Sequence, residues 1–272
     1  MVDADGVHNQ VHTAGINPQY LESAQIYSIF EAELLPNLRE KNPTAIYYYG
    51  AGCSSADRNL RVEQALVKAF PSSIIHVDHD LLAAARALCG HQPGIACILG
   101  TGSNSCLYDG KNVVDNVPSL GFLMGDEGSG AYLGKMLIRA YLYRELPEEL
   151  ATSLKNRYNL TKDSILDSVY YSNMPSTYLA TFAKFMHEKR KDPVIHAMIY
   201  QNFDEFFERH VCKYKDFDKV PVNFVGSIAF HFADTLQQVA KKYGAHIGTI
   251  ITSPSEGLIA YHQELMDQIG EK

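Results

Sequence analysis

Apolar side chains at Leu21, Ile26, Ile29, Phe30 and Leu34 recur at roughly helical spacing through residues 18–41, and the run stops before Pro43. A first helix is predicted there. The run Ala45-Ile46-Tyr47-Tyr48-Tyr49 is rich in the β-branched and aromatic types that favour strands, and it ends in Gly50-Ala51-Gly52. A buried strand followed by a turn is predicted. A helix from about Asp57 to Phe70, a strand Ser73 to Val77 and an Ala-rich helix Asp80 to Leu88 follow, the last with Asp80 placed as its N-cap. Strand alternating with helix implies a largely parallel sheet.

At Gly94 the period changes. Ile95 to Leu99, Ser103 to Tyr108 and Val113-Val114 read as three strands with antiparallel pairing, and Asp109-Gly110 is the hairpin signal between the last two. The glycine-rich turn Gly125-Asp126-Glu127-Gly128-Ser129-Gly130 leads into a helix running to about Tyr143, and residues 145–213 read as almost wholly helical. Strands return at Val222 to Val225 and Ala245 to Ile251, with helices near 228–243 and 255–268. No linker or low-complexity segment intervenes. The change of pattern near Gln92-Pro93 therefore divides the chain into a first domain, 1–92, and a second, 93–272, with a helical insertion at about 145–213. The first domain offers the second's order with one strand fewer, since only a hairpin around Asp5-Gly6 precedes its first helix.

Composition narrows this picture. The 272 residues exceed the usual single-domain range of about 100–200, which suits two modest cores. Hydrophobic residues at 46% and charged ones at 20% are the profile of a globular protein. The net charge is −7 and the 24 Lys and Arg are dispersed, so no basic stripe exists to track a phosphate backbone, and no nucleic-acid partner is expected. No apolar stretch approaches the roughly 18 residues of a membrane span, and Met1-Val2-Asp3-Ala4-Asp5 lacks the regions of a signal peptide. No membrane partner and a cytoplasmic location are the corresponding expectations. Cys53, Cys89, Cys97, Cys106 and Cys212 show no C-x-x-C spacing, which argues against zinc and a disulfide framework and for reduced thiols.

The sharpest chemical element is Leu99-Gly100-Thr101-Gly102-Ser103-Asn104-Ser105, a glycine and hydroxyl turn between two strands. Such a backbone can aim successive N–H groups at an anionic phosphate, although a plain hairpin turn has the same appearance. Its setting decides. Asp80-Leu81-Leu82-Ala83-Ala84-Ala85, then Gly100 to Asn104, then Gly125 to Gly130 resemble the consecutive core motifs of N-acetylglucosamine kinases and the related BadF/BcrA ATPase family. The resemblance runs from Ala14-Gly15-Ile16-Asn17-Pro18 through Gly226-Ser227 to Ser253-Pro254-Ser255-Glu256-Gly257, nearly the whole chain.

It implies an α/β fold of two actin- and hexokinase-like (ribonuclease H-like) lobes, the second with the helical insertion. It also implies transfer of a phosphoryl group from ATP, with Mg²⁺, to a hydroxyl of N-acetylglucosamine or a related amino sugar. By the same resemblance Asp80 would be the general base, with Asp78 its rival and a structural N-cap its other reading. Asn17, Thr101, Gly102, Asp126 and Glu127 would contact the sugar, although helix capping would also explain the two acids and a turn would explain Asn17. Gly100, Thr101, Gly102 and Ser103 would serve the phosphates, Gly226 and Ser227 the nucleotide, and Ser253, Ser255 and Glu256 the adenosine side. No metal ligand is assigned. The expected partner is a small-molecule sugar, with a homodimer as the open option for assembly.

Two other readings stay open. One is the reductase-activating ATPase branch, with Cys97 as a cluster ligand; the other is a non-catalytic sugar-binding protein of the same fold. Family members open with a strand and an acidic loop of the D-x-G-x-T kind, which nothing here matches, Asp5-Gly6-Val7-His8 included. The chain is expected to begin one strand downstream, with that strand encoded upstream.

Overall fold

The computed structural model describes residues 9–270. The hairpin expected around Asp5-Gly6 and any strand before it lie outside the described residues. The chain forms two compact units, one ending at Ala83 and the other starting at Ala84.

In the first unit α1 (Ser23–Ile29) is opened by a reciprocal capping box between Glu22 and Gln25, and it continues as a π turn over Phe30–Leu34. Strand β1 (Ala45–Gly50) follows, then α2 (Ala56–Ala69), β2 (Ile74–His79) and α3 (Asp80–Cys89), which crosses the division between the units. The two strands pair in parallel from Ala45 opposite Ile74 to Gly50 opposite His79, as a strand-helix-strand crossover requires. Ile26 of α1 and Phe30 of the π turn bury against Val62, Leu66 and Phe70 of the α2 segment to make a small core. Asp80 is the first residue of α3, not its N-cap. The Nδ1 atom of His79 accepts the Leu82 N–H at 3.1 Å and so caps the helix in its place.

The second unit opens with β3 (Gly94–Leu99), β4 (Ser103–Tyr108) and β5 (Val113–Asp115). Helices α4 (Gly121–Met124) and α5 (Gly130–Leu142) come next, followed by the insertion: α6 (Glu148–Tyr158), α7 (Lys162–Tyr170), α8 (Pro175–Ala180), α9 (Ala183–Glu188) and α10 (Pro193–Arg209). Strand β6 (Pro221–Val225), α11 (Ser227–His231), α12 (Ala233–Lys242), β7 (His246–Ile251) and α13 (Ser255–Gly270) complete it. The sheet order is β5-β4-β3-β6-β7. The first two pairings are antiparallel and the last two parallel. Central β3 is an almost unbroken buried run, as a strand covered on both faces must be. The β4–β5 turn forms because Asp109 Oδ1 accepts the N–H groups of Lys111 (2.8 Å) and Asn112 (2.7 Å) while Gly110 takes φ 98°.

Asn223 is one of the polar side chains buried deep in this sheet. Asn223 on β6 is 4% exposed; its amide nitrogen donates to Pro221 O at 3.3 Å and Ile95 O at 3.4 Å, and its oxygen accepts the Thr249 N–H at 2.8 Å. It fills the place where the β6–β7 register shifts between Val222 and Phe224. Asn223→Ala is expected to destabilise the fold by about 1–3 kcal/mol, because it removes the three hydrogen bonds this buried amide makes to the neighbouring backbone. Urea unfolding measures this, and an unchanged midpoint would show that the bulge is satisfied in another way.

Among the described residues no helix is long and apolar enough to cross a membrane. Cys97 is fully buried within β3, and burial drives its thiol pKa well up. Cys106 is pushed to about 12 and Cys89 to about 11, again chiefly by burial. Buried thiols of raised pKa are poorly suited to ligating a cluster at a surface.

Candidate functional site

In the second unit the chain turns between β3 and β4 at Gly100-Thr101-Gly102, where the Gly100 N–H bonds Gly102 O at 3.0 Å. The turn is docked on the start of α5: Gly100 O accepts from Gly130 N (2.8 Å) and Thr101 O from Ala131 N (3.0 Å), while Ser129 Oγ accepts from Tyr132 N (3.1 Å). Three of the helix's orphan donors are thereby satisfied. Ser129 is the N-cap. Asp126 and Glu127 are therefore not helix caps, and both carboxylates are buried for another purpose, at 7% and 4% exposure.

Asp126 sits in the left-handed region at φ 63°, uncommon for non-glycine residues but one that Asp adopts more readily than most. Its Oδ1 accepts from Ser119 Oγ at 3.2 Å and, at the long distance of 3.5 Å, from the Ser103 N–H. A Cβ on Gly102 would stand 3.1 Å from Asp126 Oδ2, so the carboxylate lies directly against the β3–β4 turn and glycine makes room for it. Burial raises the Asp126 carboxyl above its ordinary value; the Ser103 N–H, the Ser119 hydroxyl and the Lys135 ammonium oppose the rise. Ser103 Oγ is buried with no partner among the described residues, a donor and acceptor left over beside the same carboxylate. Glu127 is engaged differently: Oε1 pairs with the Arg209 guanidinium, and Oε2 faces His210 Nε2 at 3.9 Å.

The carboxyl ends of the parallel strands collect the remaining residues of this unit. Gly226 follows β6, donates its N–H to Ile251 O at 2.9 Å and comes so close to Leu99 that a Cβ there would lie 2.3 Å from Leu99 O. Ser227 begins α11 and is exposed. Beyond β7, Ser253 Oγ accepts the Ser255 N–H at 3.4 Å just ahead of α13, whose first turn carries exposed Glu256. In an open sheet of this kind, ligands bind outside the carboxyl ends of the strands. Gly100 is half-buried, and a Cβ on it would meet nothing within 4 Å, so there is open space above the turn.

In the first unit the same end of the sheet holds the other sequence-predicted residues. Asp80 follows β2 and is half-buried, with no hydrogen bond or ion pair to its carboxylate among the described residues. Asn17 lies against the turn after β1: its Oδ1 accepts the Gln19 N–H at 2.9 Å and would be 2.2 Å from a Cβ on Gly52, which takes φ 87°. Burial, then the charge of Asp80, raise the thiol pKa of nearby Cys53.

Sequence reasoning missed Ser119, Lys135, Asn202, Arg209 and His210. The last three surround the Gly125–Gly130 turn from α10 and the residue after it, about 80 residues further along the chain. Nothing local distinguishes them from an ordinary amphipathic helix.

No protein-family model matches the chain, and neither does any curated protein. Among solved structures, a proposed N-acetylglucosamine kinase from Porphyromonas gingivalis is 41% identical, with a TM-score of 0.90 over 94% of this chain and 91% of its own. A proposed N-acetylglucosamine kinase from Chromobacterium violaceum (18% identity, TM-score 0.64, 95% and 92% covered) shares the fold. So does a ROK hexokinase from Thermus thermophilus (15%, TM-score 0.54, 90% and 86% covered). The Porphyromonas likeness spans both units, and the chain belongs to the N-acetylglucosamine kinase family of sugar kinase-like proteins, with the α/β fold shared by actin and hexokinase.

Proposed function

We propose that the protein transfers the γ-phosphoryl group of ATP to a hydroxyl of N-acetylglucosamine or a related amino sugar. The observation that carries this is Asp126, a buried carboxylate held in a left-handed turn against Gly102 and Ser103 at the carboxyl end of the central strand. A carboxylate there accepts several hydrogen bonds from vicinal hydroxyls in a fixed geometry. Glu127 is its neighbour in the turn, and Thr101 and Ser103, in and just after the adjoining β3–β4 turn, would add hydroxyl groups. By the family resemblance, Asn17 of the first unit would also contact the sugar.

Gly100 to Ser103 would take the phosphates, Gly226 and Ser227 the nucleotide, and Ser253, Ser255 and Glu256 the adenosine side. The sugar oxygen bonds to the γ-phosphorus, the bond from that phosphorus to the β,γ-bridging oxygen breaks, ADP leaves, and the hydroxyl proton passes to Asp80. Because the transition state is loose, positioning and charge do most of the work. No group of three or more His, Cys, Asp or Glu among the described residues forms a cage for a metal ion. Magnesium would arrive with the phosphates, shielding their charge.

Asp126→Ala is expected to weaken sugar binding by about 1–3 kcal/mol, since it leaves sugar hydroxyls without their acceptor. Calorimetry of the purified protein with N-acetylglucosamine and, separately, with ATP reads both halves of the proposal. Heat with the sugar and none with ATP would favour a non-catalytic binder. Unaltered sugar affinity in Asp126→Ala, with only the melting temperature lowered, would make Asp126 a structural residue.

A further inference from the structure

Helix α10 belongs to the insertion, yet one of its faces is turned to the glycine-rich turn. Asn202 Oδ1 accepts the Gly128 N–H at 2.8 Å. One turn on, Phe206 packs so closely on Gly128 (φ 83°) that a Cβ there would lie 2.9 Å from Phe206 Cγ. Arg209 at the last position of the helix pairs with Glu127, and His210 just beyond it stacks on Phe206 with ring centroids 5.0 Å apart. Residues 202, 206, 209 and 210 fall on one side of an α-helix.

We infer that α10 is the buttress that holds the Gly125–Gly130 turn in its sugar-binding shape, and that Arg209 is the positioning residue that acts on Asp126 through Glu127. This deepens the sugar kinase reading and rests on Asp126 as the sugar ligand.

The charge arrangement explains why an arginine is needed. Glu127 is 4% exposed, and a buried carboxylate without a counter-charge is strongly disfavoured. Burial lowers the pKa of His210, so it supplies no dependable charge at neutral pH. Lys135 on α5 is the other cation nearby; its ammonium donates to Phe122 O at 3.0 Å and is itself half-buried. Arg209 is thus the direct counter-ion. It also contacts Glu205 Oε2 at 3.2 Å, and the same oxygen accepts from Tyr132 OH at 2.6 Å, so the network ties α10 to α5 as well as to the turn. Without Arg209, the Glu127 charge would stand uncompensated next to Asp126, and the left-handed residue that carries the sugar contact would lose its lateral support.

The test compares Arg209→Gln and Arg209→Lys in the full chain. In ligand-free protein, hydrogen exchange at the Gly128 and Ser129 amides is expected to quicken about tenfold or more in Arg209→Gln, with Ile199 and Phe203 unaffected and Arg209→Lys within about threefold of wild type. With ATP and N-acetylglucosamine, Arg209→Gln is expected to raise the sugar KM about tenfold while kcat stays within about threefold, and Arg209→Lys to restore most of the loss. Unchanged exchange at the turn overturns the inference whether or not the sugar reacts, as does a loss confined to kcat. A wild-type protein that neither binds nor phosphorylates the sugar defeats the kinase reading, while the exchange rates still decide whether α10 holds the turn. If Arg209→Gln does not fold, Asn202→Ala, which removes the acceptor of the Gly128 N–H from the same face, carries the same comparison with the same overturning results.

Discussion

Asp80→Asn is expected to lower the turnover number for sugar phosphorylation by about 10²–10⁴-fold, the range a positioned general base contributes, while sugar affinity changes little. Asn preserves the size of the side chain and most of its hydrogen-bonding capacity but cannot accept the hydroxyl proton. The structural alternative for this residue, a helix cap, is already filled by His79, whose Nδ1 takes the Leu82 N–H. What remains is a half-buried carboxylate in the first turn of α3. Asp78, two residues earlier and within β2, is engaged by other groups, and Asp78→Asn should be mild by comparison. Steady-state kinetics with calorimetry checks both variants. A turnover number unchanged in Asp80→Asn would remove Asp80 from the reaction.

Gly226→Ala is expected to destabilise the protein by about 2–6 kcal/mol, the sum of a backbone strain of about 1–3 and an overpacking of similar size. Its φ of 123° and ψ of 158° lie in a region that is nearly glycine-only. The added methyl would also meet backbone, 2.3 Å from Leu99 O and 2.7 Å from Leu99 C, and no rotamer can relieve that. The site of strain is the juncture of β6 with central β3, so the loss should appear as a lower urea midpoint of the whole second unit. Gly100→Ala is the informative contrast. A Cβ there meets nothing, so the fold should hold while ATP affinity falls, if the open space is where the phosphates go. Equal stability of Gly226→Ala and wild type would mean that the two strand ends are not apposed in this way.

The alternation of elements was legible in the amino-acid sequence because each carries its own local reason. Three consecutive tyrosines and a β-branched residue favour β1; Ser55 accepts the Arg58 N–H and starts α2; the carboxylate of Asp109 and the positive φ of Gly110 make the β4–β5 turn by themselves. The motifs at Gly100, Asp126 and Asp80 were likewise visible, since their residue types and order need no partner to be noticed. What each of these groups does locally was decided elsewhere in the fold. Ser129 and His79, rather than the neighbouring acids, turned out to cap the helices, a difference of one to three residues that propensity does not resolve. Gly102, Gly128 and Gly226 are glycines for three different steric reasons, set by Asp126, Phe206 and Leu99. The counter-charge of Glu127 arrives from Arg209 at the end of a helix far along the chain, because charge compensation depends on distance in space and leaves no periodic mark in the sequence.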